Sequence, residues 1–344
     1  MRIICDGLAH FDRDTCPAVA VCDSIPYEIT TLRRDVETDG RRAVVAFTED
    51  WHEDAMRRDF RCNALYAEPD GKVHDPVGGG IEDAAHGRVI FIGDADQRLR
   101  EDYLRILRFF RFNAWYGAGI DRQGLAACER QREGLGQIAA ERIWKELHKL
   151  LSAPNPSVAV EAMEKSGILQ KVLPGAVSTD RLVNSVTMLN AAGTAPDPVR
   201  RLMTLLTPDL DVAASVSTAL RLSNADRDRL ENWATAYNQI GEEDLKEPEI
   251  YRAFYRFGTE AVLDYLFWRG PGGGEETAET LRELAQMASE WERPVFPLTG
   301  DDALQLGLSG PAIGRALGAL ESVWVDGDFS ETRETLLGKL KTFA

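Results

Sequence analysis

Residues 98–111 read Arg-Leu-Arg-Glu-Asp-Tyr-Leu-Arg-Ile-Leu-Arg-Phe-Phe-Arg, five arginines and two acids in a chain of net charge −16. On a helix, Asp102, Arg105, Arg108 and Arg111 stand three apart, so successive members touch. The series drifts by about 60° per step and forms a slanting ridge. A ridge of this kind is also what a solvated helix face looks like. Its residue types allow a more specific chemistry. A carboxylate beside a guanidinium meets the edge of a nucleobase that carries an amino donor next to a ring-nitrogen acceptor. Cytosine offers N4 beside N3, and adenine offers N6 beside N1. Uracil and guanine place a carbonyl and an N–H at those positions and would leave buried polar groups mispaired. A second cluster, Met56-Arg-Arg-Asp-Phe-Arg-Cys-Asn-Ala-Leu65, sets Arg57 and Arg58 ahead of Asp59. Arginine suits a triphosphate and Asp a ribose hydroxyl, although an Arg-Arg-Asp run also ends solvated strands.

These groups need elements to hold them. Ala18–Cys22, Tyr27–Leu32, Ala43–Phe47 and Asn63–Tyr66 are short runs rich in β-branched or aromatic residues, separated by turn formers such as Asp23-Ser24, Asp39-Gly40 and Glu68-Pro-Asp-Gly71. They predict a β-containing head that ends at Asp75-Pro-Val-Gly-Gly-Gly80. From there the apolar period is helical: Leu104, Leu107 and Phe110 form the buried side of one helix, and 139–151 forms another. Further helices are expected over 157–166, 180–192, 197–206, 211–222, 225–240, 258–268 and 276–291, with a Gly-Pro-Gly-Gly-Gly loop at 270–274. The predicted fold class is α+β, a small β-containing head followed by a mostly all-α remainder. The expected divisions are a head over 1–80 and helical segments over 81–152, 153–242 and 243–344.

Composition narrows the function classes. Apolar residues make up 44% and charged residues 28%, ordinary globular usage. No run of 18 apolar residues exists, so no membrane span is expected. Five cysteines without a CxxC pair argue against a disulfide framework and for a reducing cytoplasm. The acidic balance speaks against bulk nucleic-acid binding but leaves room for a local basic groove. His74-Asp75 could belong to a phosphohydrolase dyad, yet no partner His or Asp is spaced to complete it. Trp115, Trp144, Trp233, Trp268, Trp291 and Trp324 fall on helical patterns as packing residues. The Gly307–Gly314 turn could seat an RNA phosphate or form a plain corner between helices.

Taken in order, Tyr27-Glu-Ile-Thr-Thr-Leu-Arg-Arg-Asp35, Arg57-Arg-Asp-Phe60 with Asn63-Ala-Leu65, Asp75-Pro with Gly78-Gly79, and Ile92-Gly-Asp94 carry a resemblance. So do Arg100-Glu-Asp-Tyr-Leu-Arg-Ile-Leu-Arg-Phe-Phe-Arg-Phe112, Glu141-Arg-Ile143 with Glu146-Leu147, and Leu298-Thr-Gly-Asp301. The chain resembles the class II tRNA nucleotidyltransferase and poly(A) polymerase family. The resemblance implies a bacterial cytoplasmic enzyme that attaches CTP- and ATP-derived nucleotides to tRNA 3′ ends. Members adding CCA, CC, A or poly(A) share these motifs. It also implies roles: Asp102 and Arg105 as the template reading CTP and ATP, Glu101 orienting Arg105, and Arg108 and Arg111 on the nucleotide or its phosphates. Arg58 would hold the triphosphate, and Asp59 would approach the ribose.

The family uses two magnesium ions on an Asp-x-Asp strand that follows a glycine loop. Neither feature precedes Tyr27 recognisably, and Gly7-Leu-Ala-His10 resembles a segment that normally lies downstream of both. Asp12 and Asp14 form a literal Asp-x-Asp, but a polar turn explains them as well, and Pro17 soon after makes a poor central strand. Glu28 is a further carboxylate on a strand. A head lacking its first part is therefore expected, and a chain that binds tRNA and nucleotide without polymerising stands beside the active reading. A helical scaffold with no ligand would require the 57–112 match to be chance.

Overall fold

The computed structural model describes residues 18–22, 25–39, 42–192, 195–241, 245–270 and 275–343. Asp12 and Asp14 lie outside them. The chain is α+β and divides into two compact units, residues 1–179 and 180–344.

The first unit opens with two antiparallel hairpins. In one, β1 (Ala18–Cys22) pairs with β2 (Ile25–Ile29), placing Glu28 opposite Val19. In the other, β3 (Arg33–Asp39) pairs with β4 (Arg42–Phe47), with a register shift between Asp35 and Glu37. Nothing in the period of Arg-Arg-Asp-Val-Glu-Thr-Asp predicts β3. Its strand form comes from pairing with the apolar β4, as expected where tertiary context sets strand formation. Next come α1 (Trp51–Met56), the two-residue strands β5 (Tyr66–Ala67) and β6 (Val73–His74), and α2 (Gly80–Ala85).

Of the strand expected over 63–66, only Tyr66 is in a strand, β5. Arg61–Asn63 instead forms one 3-10 turn, in which Ala64 N donates to Arg61 O at 3.1 Å. Asn63 N likewise donates to Phe60 O at 3.0 Å, so the backbone bonds locally instead of in a ladder, and the Asn63 side-chain amide ties the turn to Asp59 Oδ1 at 2.9 Å.

Helices α3 (Ala95–Glu101), α4 (Leu104–Tyr116), α5 (Arg122–Gln131), α6 (Ala140–Leu151), α7 (Ser157–Lys165) and α8 (Ile168–Val172) complete the unit. The single helix expected through 98–111 is broken. Asp102 is extended, at φ −154° and ψ 104°, and its Oδ1 accepts from Leu104 N at 3.1 Å. An Asp side chain that takes a free amide at a helix start ends one helix and begins the next. The ridge is therefore split, with Asp102 in the break and the three arginines on α4.

The break is held from outside as well. A Cβ on Gly134 would lie 2.1 Å from the Tyr103 ring, so only glycine lets that ring in. Under α4, Phe60, Phe91, Phe109 and Phe112 form an aromatic core, with ring centroids 4.9 Å apart for Phe60–Phe91 and 5.0 Å for Phe60–Phe112. Arg61 N donates to Ile90 O and Ile92 N to Asp59 O, both at 3.0 Å. Residues 59–61 are thereby stitched to 90–92 over that core.

The second unit is helical among the described residues. It comprises α9 (Asp180–Ala192), α10 (Pro198–Met203), α11 (Leu210–Leu220), α12 (Asn224–Ile240), α13 (Glu247–Phe257), α14 (Thr259–Arg269), α15 (Glu275–Glu290), α16 (Gly300–Gln305), α17 (Pro311–Asp326) and α18 (Arg333–Leu340). Trp233 and Trp324 are buried in it, consistent with packing roles. Asp264, fully buried, joins α10, α12 and α14 by accepting from Arg200 Nε at 2.6 Å and Arg229 Nε at 2.7 Å.

Candidate functional site

A cleft of about 330 Å³ opens in the first unit between α1, the 59–63 segment, α4 and α6. It is lined by Arg57, Arg58, Asp59, Asn63, Asp102, Leu104, Arg105, Arg108 and Arg142. Five of the side chains singled out from the sequence thus meet in one place: Arg58, Asp59, Asp102, Arg105 and Arg108. Arg111 does not line it. Its Nε donates to Glu146 Oε2 at 2.6 Å, and its guanidinium sits 4.5 Å from the centroid of the Phe112 ring.

Each lining group is held by named partners. Arg105 donates through Nη1 to Glu101 Oε2 at 2.6 Å and to Arg98 O at 2.8 Å, and through Nη2 to Arg57 O at 3.0 Å. A guanidinium has five N–H groups, so its Nε and one Nη2 hydrogen are left over from these contacts. Glu101 also accepts from Arg98 at 2.5 Å and so is flanked by two arginines. Asp102 presents Oδ2 to Arg142 Nη2 at 2.8 Å. Arg108 Nε donates to Asp59 Oδ2 at 2.5 Å.

Asp59 is almost fully buried. Burial opposes its ionisation, but the Arg108 charge and hydrogen bond, helped by Asn63, outweigh burial and hold the carboxyl below its usual range. Cys62, a free cysteine, lies in the same segment. Burial first, then the nearby Asp59 and Asp83 carboxylates, push its thiol up to about 11.

Sequence reasoning missed the group that organises this wall. Asp54, 1% exposed, accepts from Arg57 Nη2 at 2.6 Å, Arg58 Nη2 at 3.1 Å, Tyr66 Oη at 2.7 Å and the Arg33 amide at 3.0 Å. The available signal was its spacing, three and four residues before Arg57 and Arg58 on one helix turn. Buried Asp83 plays the same part for Arg61, with Nε–Oδ2 at 2.7 Å. His74 and Asp75 form no dyad: His74 bonds Glu68 at 2.5 Å, while Asp75 accepts from Gly78 N and Gly80 N at the start of α2.

The two magnesium ions implied by the resemblance find no fit among the described residues, where no three His, Cys, Asp or Glu side chains converge.

Residues 8–90 match the Poly A polymerase head domain, and residues 119–179 match the probable RNA and SrmB-binding site of polymerase A. The mouse mitochondrial CCA tRNA nucleotidyltransferase 1 is 33% identical over 330 residues, covering 92% of this chain and 72% of the mouse protein. The chain belongs to the class II tRNA nucleotidyltransferase and poly(A) polymerase family. Another relative of this nucleotidyltransferase is the Streptococcus pneumoniae CCA-adding enzyme, 28% identical over 92% of this chain and 79% of the relative. The nucleotidyltransferase fold is shared with the Bacillus stearothermophilus CCA-adding enzyme in complex with CTP. That match has a TM-score of 0.71 at 23% identity and covers 94% of this chain and 80% of that one. The Thermotoga maritima CCA-adding enzyme complexed with tRNA shows the fold again, with a TM-score of 0.60 at 17% identity, over 96% and 82% of the two chains.

Proposed function

We infer that the protein adds C, C and A to the 3′ end of tRNA, using CTP and ATP. One observation carries the reading beyond family membership. A carboxylate, Asp102, and a guanidinium, Arg105, line the same cleft as Arg58 and Arg108. Asp102 accepts from the exocyclic amino group of cytosine or adenine, and Arg105 donates its remaining N–H groups to the ring nitrogen. Arg58, fixed by Asp54, faces the triphosphate. Arg108 supplies a second cation, and Asp59 sets the ribose side of the cleft. Arg111 serves through α6, bound to Glu146. The tRNA 3′-hydroxyl then attacks the α-phosphate and pyrophosphate leaves. These residues contribute by binding, selecting and orienting.

The wider assignments belong to the same reading: a head over 1–80, a neck over 81–152, a body over 153–242 and a tail over 243–344. Magnesium is the expected cofactor, and the cytoplasm is the expected compartment for a bacterial-type enzyme, although the mouse relative is mitochondrial. No described helix is long and apolar enough to cross a membrane. Support for tRNA as partner comes from the relatives and from the RNA-binding match over 119–179.

The test is to incubate the protein with tRNA lacking its 3′ end, magnesium, CTP and ATP, and to resolve the RNA by length. Extension by C, C and A supports the reading. Extension by a long A tract would place the protein with the adenylyltransferases. Binding without extension would leave it as a binding protein and return attention to the carboxylate pair Asp12 and Asp14.

A further inference from the structure

We propose that Arg142, on α6, is a specificity-determining positioning residue: it fixes the Asp102 carboxylate in the orientation that accepts from a base amino group. The proposal rests on the reading that Asp102 and Arg105 select CTP and ATP.

Asp102 needs such a holder. It sits extended in the break between α3 and α4, its carbonyl accepts from Arg105 N at 3.0 Å, and its side chain is about one-third exposed. One contact, Oδ1 to Leu104 N, leaves the carboxylate able to turn about that bond. The second contact, Oδ2 to Arg142 Nη2 at 2.8 Å, removes this freedom. Arg142 reaches Asp102 from forty residues along the chain, and its own helix is anchored. Leu147, Leu150 and Leu151 of α6 are buried, and Glu146 one turn on receives Arg111 of α4 at 2.6 Å. The holder is thus rigid with respect to the helix that carries Arg105.

The contacts also leave the reading capacity intact. A carboxylate oxygen has two acceptor positions, so each Asp102 oxygen keeps one for a base amino hydrogen after its protein contact. Arg105 is treated alike, pinned by Glu101, Arg98 O and Arg57 O with N–H groups to spare. Both halves of the reading pair are therefore preorganised, as a discriminating site requires. Without Arg142 the carboxylate is free to rotate away from a carbonyl at O4 of uracil or O6 of guanine. The mismatch then costs less, and the gain with the amino-bearing bases shrinks with it.

A direct phosphate contact by Arg142 makes a different prediction, because all four nucleotides carry the same triphosphate. The experiment measures dissociation constants of CTP, ATP, UTP and GTP for the full chain and for Arg142→Ala, Arg142→Lys, Asp102→Ala and the double Arg142→Ala/Asp102→Ala variant. Arg142 is 45% exposed at its side chain and outside the core, and thermal unfolding checks that each variant is folded.

The expected result for Arg142→Ala is a fall of on the order of tenfold in the CTP-to-UTP and ATP-to-GTP affinity ratios. Lys should restore part of it. In the double variant no loss beyond Asp102→Ala is expected, because Arg142 acts through Asp102. Equal weakening of all four nucleotides by Arg142→Ala would overturn the proposal in favour of a phosphate contact. Unchanged ratios in Arg142→Ala alongside collapsed ratios in Asp102→Ala would overturn it while leaving the template reading intact. Unchanged ratios in both would remove the template reading with it.

Discussion

Replacing Asp54 by Asn removes a charge and leaves the shape. Asp54 is 1% exposed and faces two guanidinium groups, a phenol and a backbone amide. Burial works against its ionisation, but the Tyr66 hydroxyl, the Arg33 amide and Arg57 together overrule that and lower the carboxyl from 3.8 to about 2. A carboxyl whose folded value lies below its unfolded value stabilises the fold above the unfolded value, and the stabilisation is lost as pH falls through the folded one. The size is roughly 2 kcal/mol, from about 1.4 kcal/mol per tenfold change in proton affinity. Urea unfolding of the wild type and Asp54→Asn should therefore show a gap of about 2 kcal/mol from pH 8 down to about 4, closing between about 4 and 2. Because Arg57 and Arg58 lose their anchor, KM for CTP and for ATP should rise by similar factors, with the base preference retained. A gap that is absent at pH 7, or that persists undiminished at pH 3, would refute the assignment of Asp54 as the ionised hub of this wall.

Three other outcomes follow from the geometry. Arg105→Lys keeps the charge but loses the planar fork that spans Glu101, Arg98 O and Arg57 O, and should weaken CTP and ATP binding by about tenfold or more in direct titration. Gly134→Ala drives a methyl into the Tyr103 ring and should cost about 1–3 kcal/mol in unfolding free energy, with base selectivity falling as the Asp102 break shifts. Binding of tRNA should weaken as salt rises, with a shallow log–log slope because a chain of net charge −16 meets few phosphates; a slope of zero in a filter-binding series would contradict this.

Much of the scaffold was legible because its signal is local. The apolar period of 139–151 emerges as α6, Ala140–Leu151, and that of 225–240 as α12, Asn224–Ile240. Strand β4 follows its run of valines. The failures mark places where a local contact or a punctuating residue redirects the backbone, which an apolar period does not register. At Asp102 a helical period continues through a residue that the backbone uses as a cap, and period alone does not register the cap. Asn63 N bonds Phe60 O and Ala64 N bonds Arg61 O, so a 3-10 turn takes the place of most of an expected strand. Helix α13, Glu247–Phe257, went unread; its first turn holds Pro248, which punctuates a sequence yet is well suited to a helix start.

The site divides in the same way. Arg58, Asp59, Asp102, Arg105 and Arg108 are visible as residue types at telling spacing, and they line one cleft. Arg111 shares the spacing but faces Glu146, because the step of three residues carries it around α4 and out of the cleft. Asp54 shows in the sequence only a spacing to Arg57 and Arg58, and Arg142 only a place in the Glu141-Arg-Ile143 match. Their part in the site becomes clear when Tyr66, Arg33 and Asp102 are brought to them by the fold.

The central claim is that a carboxylate and a guanidinium of the protein choose the nucleotide. It is tested most directly by titrating CTP, ATP, UTP and GTP against the wild-type protein and Asp102→Ala under one set of salt and magnesium conditions. The wild type should bind CTP and ATP at least tenfold more tightly than UTP and GTP, from a discrimination of about 1–3 kcal/mol per good pair, and Asp102→Ala should bring the four affinities together. Four equal affinities in the wild type, or a preference that survives the loss of Asp102, would contradict it.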